Sequence, residues 1–232
     1  MVADVVEEVR ARVETLVSSW FKQVEGEVQG LKRGLKVLSD GMKEKLGKLE
    51  EFALDSVLDL AGTRYASTLK AWTGKTTASV VYDSKVDQFT DDGLFQAVKG
   101  KPNVAIITTT TDGDVFGGFY SVAVTDQDRV FFDPNLFLFS FESHGRCMTP
   151  KKFDVKEKSK DDAGVMFYKN DSDGWFVTFD GGSGCFYLGN EKSRTFCVDL
   201  YWGFEGIEDT KLTGKKYPEN FTCTRLLAIQ LV

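Results

Sequence analysis

The chain has 232 residues and a formal net charge of −6, and 42% of its residues are hydrophobic and 13% aromatic. This apolar content is sufficient for a sizeable core, which excludes a largely disordered chain. The 29 Lys and Arg residues are scattered among 35 Asp and Glu residues instead of forming a basic stripe, so we expect no nucleic-acid binding.

The sequence carries no pattern of secretion or membrane insertion. Acidic residues from Asp4 onward replace the basic and then apolar stretch of a signal peptide, and no run approaches about 18 apolar residues. The four cysteines are widely spaced and show no zinc-ligand pattern: Cys147, Cys185, Cys197 and Cys223. We therefore expect a cytoplasmic protein with buried, reduced thiols, no membrane span, no metal and no other cofactor.

The first sixty residues lack proline and carry an apolar heptad repeat, which predicts a coiled-coil or helical oligomerisation segment over residues 1–62. A stutter at Val24 and Val28, and a second slip before Leu46, interrupt the repeat. The predicted partner-binding seam comprises Val6, Val9, Val13, Leu16, Val28, Leu31, Leu35, Leu38, Met42 and Leu49.

Five glycines lie within this predicted helix, and each costs about 1 kcal/mol relative to alanine in a helix interior. They are Gly26, Gly30, Gly34, Gly41 and Gly47. A lone helix with this composition is unstable in water, so the seam requires a partner. We favour a second copy of the chain, which predicts a homo-oligomer. The alternatives are a hairpin folded back near Gly26–Gly30 and docking of the helix on the C-terminal domain.

Residues Glu50 to Trp72 continue the helical pattern, and from Ala78 the apolar period changes to two. Turn clusters such as residues 111–114 and 170–174 separate short segments rich in β-branched and aromatic residues. The nine predicted strands are ASVVYDS, NVAIITTTT, DVFGGFYSVAV, NLFLFSFES, VMFYK, WFVTF, GCFYL, TFCVDL and RLLAIQL.

One short helix interrupts the strands. Thr90 is a predicted N-cap, and Gly93 to Val98 form a helix that Gly100 and Pro102 end. The predicted class is α+β: an N-terminal coiled-coil or helical segment, followed by a two-sheet antiparallel β-sandwich with few short helices.

The order of several segments resembles the TLDc domain family over residues 66–232, in the divergent form found in amoeboid protists. These segments are LKAWTGK, VVYDSKVDQFTDDGLFQAVKGKPNVAIITTT, DVFGGFYSVAV, DPNLFLFSF and PKKF, with GCFYLGNEKSRTFCVDL and FTCTRLLAIQL downstream. The resemblance implies a β-sandwich flanked by a few helices and a link to oxidative-stress resistance. It also implies binding to the vacuolar proton-pumping ATPase or trafficking machinery, and it brings no catalytic residues. The shortened glycine run at residues 181–184 and the charged insert at residues 191–194 depart from the family pattern.

Other candidate sites have ordinary structural explanations. His144 is the only histidine and lies in a predicted turn, so we expect a loop position rather than a base paired with Cys147. Gly117 and Gly118 predict a bulge or a tight strand crossing, and residues 181–184 lack the spacing of a phosphate-binding loop.

Acidic residues in two predicted turns faintly resemble calcium loops, but such residues are ordinary in hairpins: Asp112, Asp114, Asp171 and Asp173. Glu205 and Glu208 are expected on a solvated loop. Five aromatic residues are expected in the core rather than on a sugar-binding platform: Trp72, Trp175, Tyr201, Trp202 and Phe204.

The sequence therefore favours a non-catalytic interaction or adaptor protein. The alternative is a β-sandwich carbohydrate-binding module, and a hydrolase dependent on His144 is a third, weaker hypothesis.

Overall fold

The computed structural model describes the backbone of residues 2–61 and 63–232, and the side chains of residues 7, 8, 10, 12–42 and 65–232. It divides into two compact units, Met1–Val57 and Leu58–Val232. A long N-terminal helix is followed by two antiparallel sheets and a few short helices, which confirms the predicted α+β class. In the part of the chain described, no helix is both long and apolar enough to cross a membrane.

Helix α1 spans Val2–Ala61 as a single α-helix of 60 residues. It continues through Gly26 and Gly30, so the chain does not fold back into the hairpin that was one of the alternatives. Its surface carries i,i+4 ion pairs such as Arg10–Glu14 at 3.2 Å, and both side chains of this pair are exposed. Exposed pairs of this kind contribute little to stability.

Residues 63–232 contain the strands and the remaining helices. The helices are α2 (Thr63–Thr73), α3 (Asp91–Val98) and α4 (Leu200–Gly203), with a 3-10 turn at Glu157–Ser159. The strands are β1 (Ala78–Asp83), β2 (Val104–Thr110), β3 (Val115–Tyr120), β4 (Val130–Phe132), β5 (Phe137–Glu142), β6 (Lys151–Asp154), β7 (Ala163–Phe167), β8 (Trp175–Gly181), β9 (Cys185–Gly189), β10 (Cys197–Val198) and β11 (Cys223–Leu231).

The strands form two sheets, each with antiparallel pairing throughout. The order is β1-β11-β2-β3-β5-β6 in the six-stranded sheet and β10-β9-β8-β7-β4 in the five-stranded sheet. Strand β11 is inserted between β1 and β2, so it is the second strand from one edge of the larger sheet and pairs on both sides.

The core lies between the two sheets and is rich in phenylalanine. Phe116 on β3 meets Phe186 on β9 edge to face, with ring centroids 5.7 Å apart, and both rings are fully buried. Helix α3 adds Leu94, Phe95 and Val98 to the same core. The Thr90 hydroxyl accepts a hydrogen bond from the Gly93 N–H at 3.1 Å, which confirms the predicted N-cap.

Helix α2 covers the opposite face of the larger sheet. The Tyr65 ring stacks on Phe141 of β5 at 4.2 Å, and the Tyr65 hydroxyl donates a hydrogen bond to Glu142 Oε1 at 2.8 Å. Trp72 lies parallel to Phe141 with its ring centroid 5.8 Å away, and it also contacts Phe137 and Phe139. The odd-numbered residues of β5 therefore form an outer aromatic layer beneath α2.

Each of the nine predicted strands overlaps an observed strand, while β4 and β6 were missed. Strand β4 has only three residues, two of them exposed, and β6 has the sequence KKFD with one buried residue. Both lie at sheet edges, where a strand does not need the apolar alternation on which the prediction depends.

Candidate partner-binding site

The predicted seam of α1 is an exposed apolar stripe. The side chains of Val6, Val9 and Leu49 lie outside the described residues. The seven other seam residues are exposed to between 42% (Val28) and 74% (Leu31). Apolar surface of this kind is uncommon on monomeric proteins, which makes the stripe the candidate for a partner-binding site.

Four exposed apolar residues of α1 are not among the seam residues named above: Val17, Trp20, Phe21 and Val37. Phe21 meets Trp20 edge to face with ring centroids 5.5 Å apart. Val37 differs from the seam residues because it lies about 100° around the helix axis from Leu38. It is thus an exposed apolar residue outside the seam.

His144 belongs to a polar cluster at one end of the sandwich. Its Nδ1 is 2.8 Å from Oδ1 of the buried Asp114, and Arg146 also contacts that carboxylate. Arg146 additionally donates to the Leu212 carbonyl oxygen at 3.0 Å. The histidine ring itself is exposed and lies in the β5–β6 loop, as expected from the sequence.

A carboxylate that orients a histidine is one part of a catalytic triad. Among the described residues, no Ser, Thr or Cys side chain hydrogen-bonds to the His144 ring. The cluster joins the β2–β3 turn to the segment around residue 212 and has the geometry of a structural link.

In the two turns that resemble calcium loops, one carboxylate forms an ion pair with a lysine or arginine side chain of the protein. Asp112 Oδ2 is 2.5 Å from Lys215 Nζ, and Asp173 Oδ1 is 3.7 Å from Arg194 Nη1. The described residues contain no group of three or more acidic, histidine or cysteine side chains arranged to hold a metal ion.

The glycines singled out in the sequence occupy close approaches. A Cβ on Gly118 would overlap the Phe179 ring of the opposite sheet, and a Cβ on Gly117 would overlap the Ile106 carbonyl oxygen. Gly182, with φ of +81°, and Gly184 form the tight β8–β9 turn. These positions confirm the tight crossing and the loop predicted from the sequence.

The prediction for the five aromatic residues was only partly right. Phe204 is fully buried, and Trp72 and Trp175 are half-buried among other rings. Tyr201 and Trp202 of α4 are instead exposed to 42% and 48%. Because α4 has only four residues and only its first and last are buried, its two central side chains point to solvent.

A family model of the TLDc domain matches residues 63–193. The chain belongs to the TLDc domain family. The match begins at the first residue of α2. Helix α2, which covers the outer aromatic layer, is therefore part of the matched domain. Comparison with curated proteins gives no match.

TLDc domains mediate protein interactions, and membership of the family suggests an interaction role associated with oxidative stress. The four cysteines of this TLDc protein are free thiols. Burial raises the pKa of Cys185 and Cys223 to about 11 and raises that of Cys197 still further. These thiols are therefore protonated at neutral pH, in which form they are poor nucleophiles.

Proposed function

We propose that this TLDc protein is a non-catalytic cytoplasmic adaptor in which α1 joins two copies of the chain and the sandwich binds a protein partner. The observation that carries the proposal is the exposed seam of α1, from Val13 to Met42. By family resemblance, the partner belongs to the vacuolar ATPase or to stress and trafficking machinery.

Energetics support self-association. Gly26, Gly30, Gly34 and Gly41 together reduce the stability of α1 by about 4 kcal/mol relative to alanine. Burying a Val, Leu or Met side chain contributes about 1.5–3 kcal/mol, so burial of the seven described seam residues exceeds that loss. A second copy supplies an equally apolar seam of the same length.

Dimerisation has a functional consequence for an adaptor. Two sandwiches on one coiled coil engage a partner with two sites simultaneously, and avidity then exceeds a single affinity by about 10²–10⁴-fold. Weak contacts by each domain are sufficient for stable recruitment.

Light scattering coupled to size exclusion tests the self-association. The full chain is expected to be an oligomer, and Leu35→Asp or Leu38→Asp is expected to make it monomeric. Val37→Asp is the matched control, because Val37 is 72% exposed, close to 71% for Leu35, but lies off the seam. Circular dichroism verifies that the sandwich remains folded in each variant.

A monomeric full chain would contradict the proposed self-association and remove the avidity argument. Equal effects of Val37→Asp and Leu38→Asp would show that loss of helix stability, rather than loss of the seam, disrupts the oligomer. Loss of partner capture in the monomeric variants, with the sandwich still folded, would connect the two halves of the proposal.

Carbohydrate binding is the second candidate, because Tyr201 and Trp202 form an exposed aromatic pair with ring centroids 5.0 Å apart. Lys158 Nζ lies 5.1 Å from the centre of the Trp202 ring and covers part of this surface. A glycan array with the full chain and Trp202→Ala tests this function, which requires glycan binding that the variant loses.

A further inference from the structure

A cleft of about 590 Å³ lies between the C-terminal end of α2 and the outer face of the six-stranded sheet. Phe119 on β3 and Phe137 on β5 are directly paired across the strands and stack with ring centroids 4.8 Å apart at its floor. Trp72, half-buried, meets Phe137 edge to face at 6.2 Å and forms one wall. The volume is within the range of ligand pockets, and the aromatic lining supplies an apolar anchor point.

The rim of the cleft is positively charged in a chain whose net charge is −6. Lys75, Lys152 and Lys160 line it together with a single acid, Asp154, which gives a local charge of +2. Among the described residues, the Lys75 ammonium has no ion-pair or hydrogen-bond partner. A positive spot on an acidic protein attracts anionic partners selectively.

The two other lysines of the rim pair with acidic side chains that a carboxylate of a ligand could replace. Lys152 Nζ is 2.7 Å from Asp154 Oδ1 and 4.5 Å from the centre of the Phe137 ring, while Lys160 Nζ is 2.6 Å from Glu157 Oε2. Both acids are more exposed than the lysines they pair with. A carboxylate entering the cleft can replace these solvated partners at little loss of free energy.

The far wall is held rigid by a buried carboxylate. Asp133 is fully buried and accepts hydrogen bonds from the Ser121 hydroxyl at 2.8 Å and from the Asn135 N–H at 2.9 Å. Beside this wall, the Asn103 side-chain amide has no hydrogen-bond partner among the described residues. The cleft thus offers a fixed shape together with one unpartnered cation and one unpartnered amide, which reduces the ordering needed for binding.

We propose that this lysine-rimmed cleft is the partner-binding site of the TLDc domain and takes an acidic peptide segment in which an apolar residue lies beside carboxylates. The apolar residue packs on Trp72 and the phenylalanine floor, and the carboxylates meet Lys75 and Lys152. The inference rests on the proposed protein-binding function and names the chemistry of the partner.

The position of α2 favours carboxylates over phosphates. Helix N-termini and clustered backbone N–H groups are the usual phosphate cradles, whereas α2 directs its C-terminal end, with its carbonyl groups, to this cleft. That end of a helix is negatively polarised and opposes anions in proportion to their charge, so it disfavours a dianionic phosphate more than a single carboxylate, and anion binding here depends on the lysine side chains.

The test is selection of a random heptapeptide display library on the full chain. We expect enrichment of Asp and Glu next to a Leu, Phe or Trp, and loss of that enrichment with Lys75→Glu. Lys192→Glu is the matched control, because it makes the same charge change at an exposed lysine outside the cleft. For one selected peptide, fluorescence anisotropy should show at least about tenfold weaker binding to Lys75→Glu and less than about twofold weaker binding to Lys192→Glu.

Three results would overturn the proposal: no acidic enrichment, equal weakening by both variants, or selected peptides displaced by inorganic phosphate or by phosphatidylserine vesicles at lower concentration than by free acidic peptide. Lys152→Gln is a second variant that removes the charge but keeps a polar side chain, and it should also weaken binding. The light-scattering result does not depend on this cleft, so failure of the cleft and failure of the adaptor's self-association remain distinguishable.

Discussion

Asp83 and Arg225 form a buried bidentate ion pair between residues 142 positions apart in the sequence. Arg225 Nε is 2.9 Å from Oδ1 of Asp83, and Nη2 is 2.6 Å from Oδ2. The pair joins the end of β1 to the first half of β11. Burial by itself raises the pKa of Asp83, but the hydrogen bonds and charge of Arg225, with help from Lys85, lower it below the ordinary value.

Removal of one partner of this pair is expected to destabilise the sandwich strongly. Asp83→Ala leaves a buried guanidinium without its carboxylate, which lowers the free energy of unfolding by about 3–5 kcal/mol. Asp83→Leu combined with Arg225→Met removes both charges and should lose considerably less. Urea denaturation of the two variants measures the difference, and equal losses in the single and the double variant would show that the charges are not coupled.

Because the pKa of Asp83 is lowered in the folded state, the stability of the protein depends on pH. A carboxyl group with a lower pKa in the folded state stabilises the protein above its unfolded pKa, and this stabilisation is lost as the pH falls through the folded pKa. The contribution should therefore be complete at neutral pH, begin to fall near about pH 4, and be lost once the pH is below the lowered pKa of the folded state. Asp112→Ala, at the exposed pair with Lys215, is the control and should leave stability at neutral pH almost unchanged.

Gly118→Ala is expected to destabilise the domain by about 1–3 kcal/mol, because its Cβ overlaps the Phe179 ring across the core. Phe179→Ala removes all the ring atoms that the Cβ would overlap, so Gly118→Ala should cost less in the Phe179→Ala background than in the unmodified chain. Gly117→Ala overlaps the Ile106 backbone instead, and Phe179→Ala should not rescue it. Thermal unfolding measures each variant, and equal rescue of both glycine variants would contradict the assigned contacts.

Replacing a glycine of α1 by alanine should stabilise the protein, whereas Gly118→Ala destabilises it. A Cβ on Gly26 or Gly30 meets nothing within 4 Å, and both residues lie outside the seam. Alanine at each position should stabilise the helix by about 1 kcal/mol and increase ellipticity at 222 nm. A loss of helix content or of self-association in Gly26→Ala would mean that this face of α1 packs closely against a partner.

Sequence patterns predicted features that depend on neighbouring residues. The apolar repeat of α1, the Thr90 cap and the alternation of the strands each depend on residues a few positions apart. They could therefore be recognised without knowledge of the fold. The Asp83–Arg225 pair and the contact of His144 with Asp114 could not, because strand order decides which distant residues meet. The same holds for the cleft, whose lysines at positions 75, 152 and 160 are ordinary surface residues in the sequence and gather only when α2 packs on the sheet.

The cysteines provide a test of redox chemistry in this protein. Burial raises the pKa of Cys185 and Cys223 to about 11 and that of Cys197 further, so at pH 8 only about one molecule in a thousand carries a thiolate at Cys185 or Cys223. Cys147 and Cys185 are both only partly buried, so the expectation of four buried thiols was wrong for these two; Cys185 is held in its protonated form by its raised pKa, whereas Cys147 lies in the loop after β5. Titration with a chromogenic disulfide reagent should therefore detect one fast thiol in the native protein, none in Cys147→Ser and four after denaturation. Fast reaction of more than one native thiol would contradict the protection of Cys185, Cys197 and Cys223, and would instead favour a direct thiol-based role in oxidative-stress resistance.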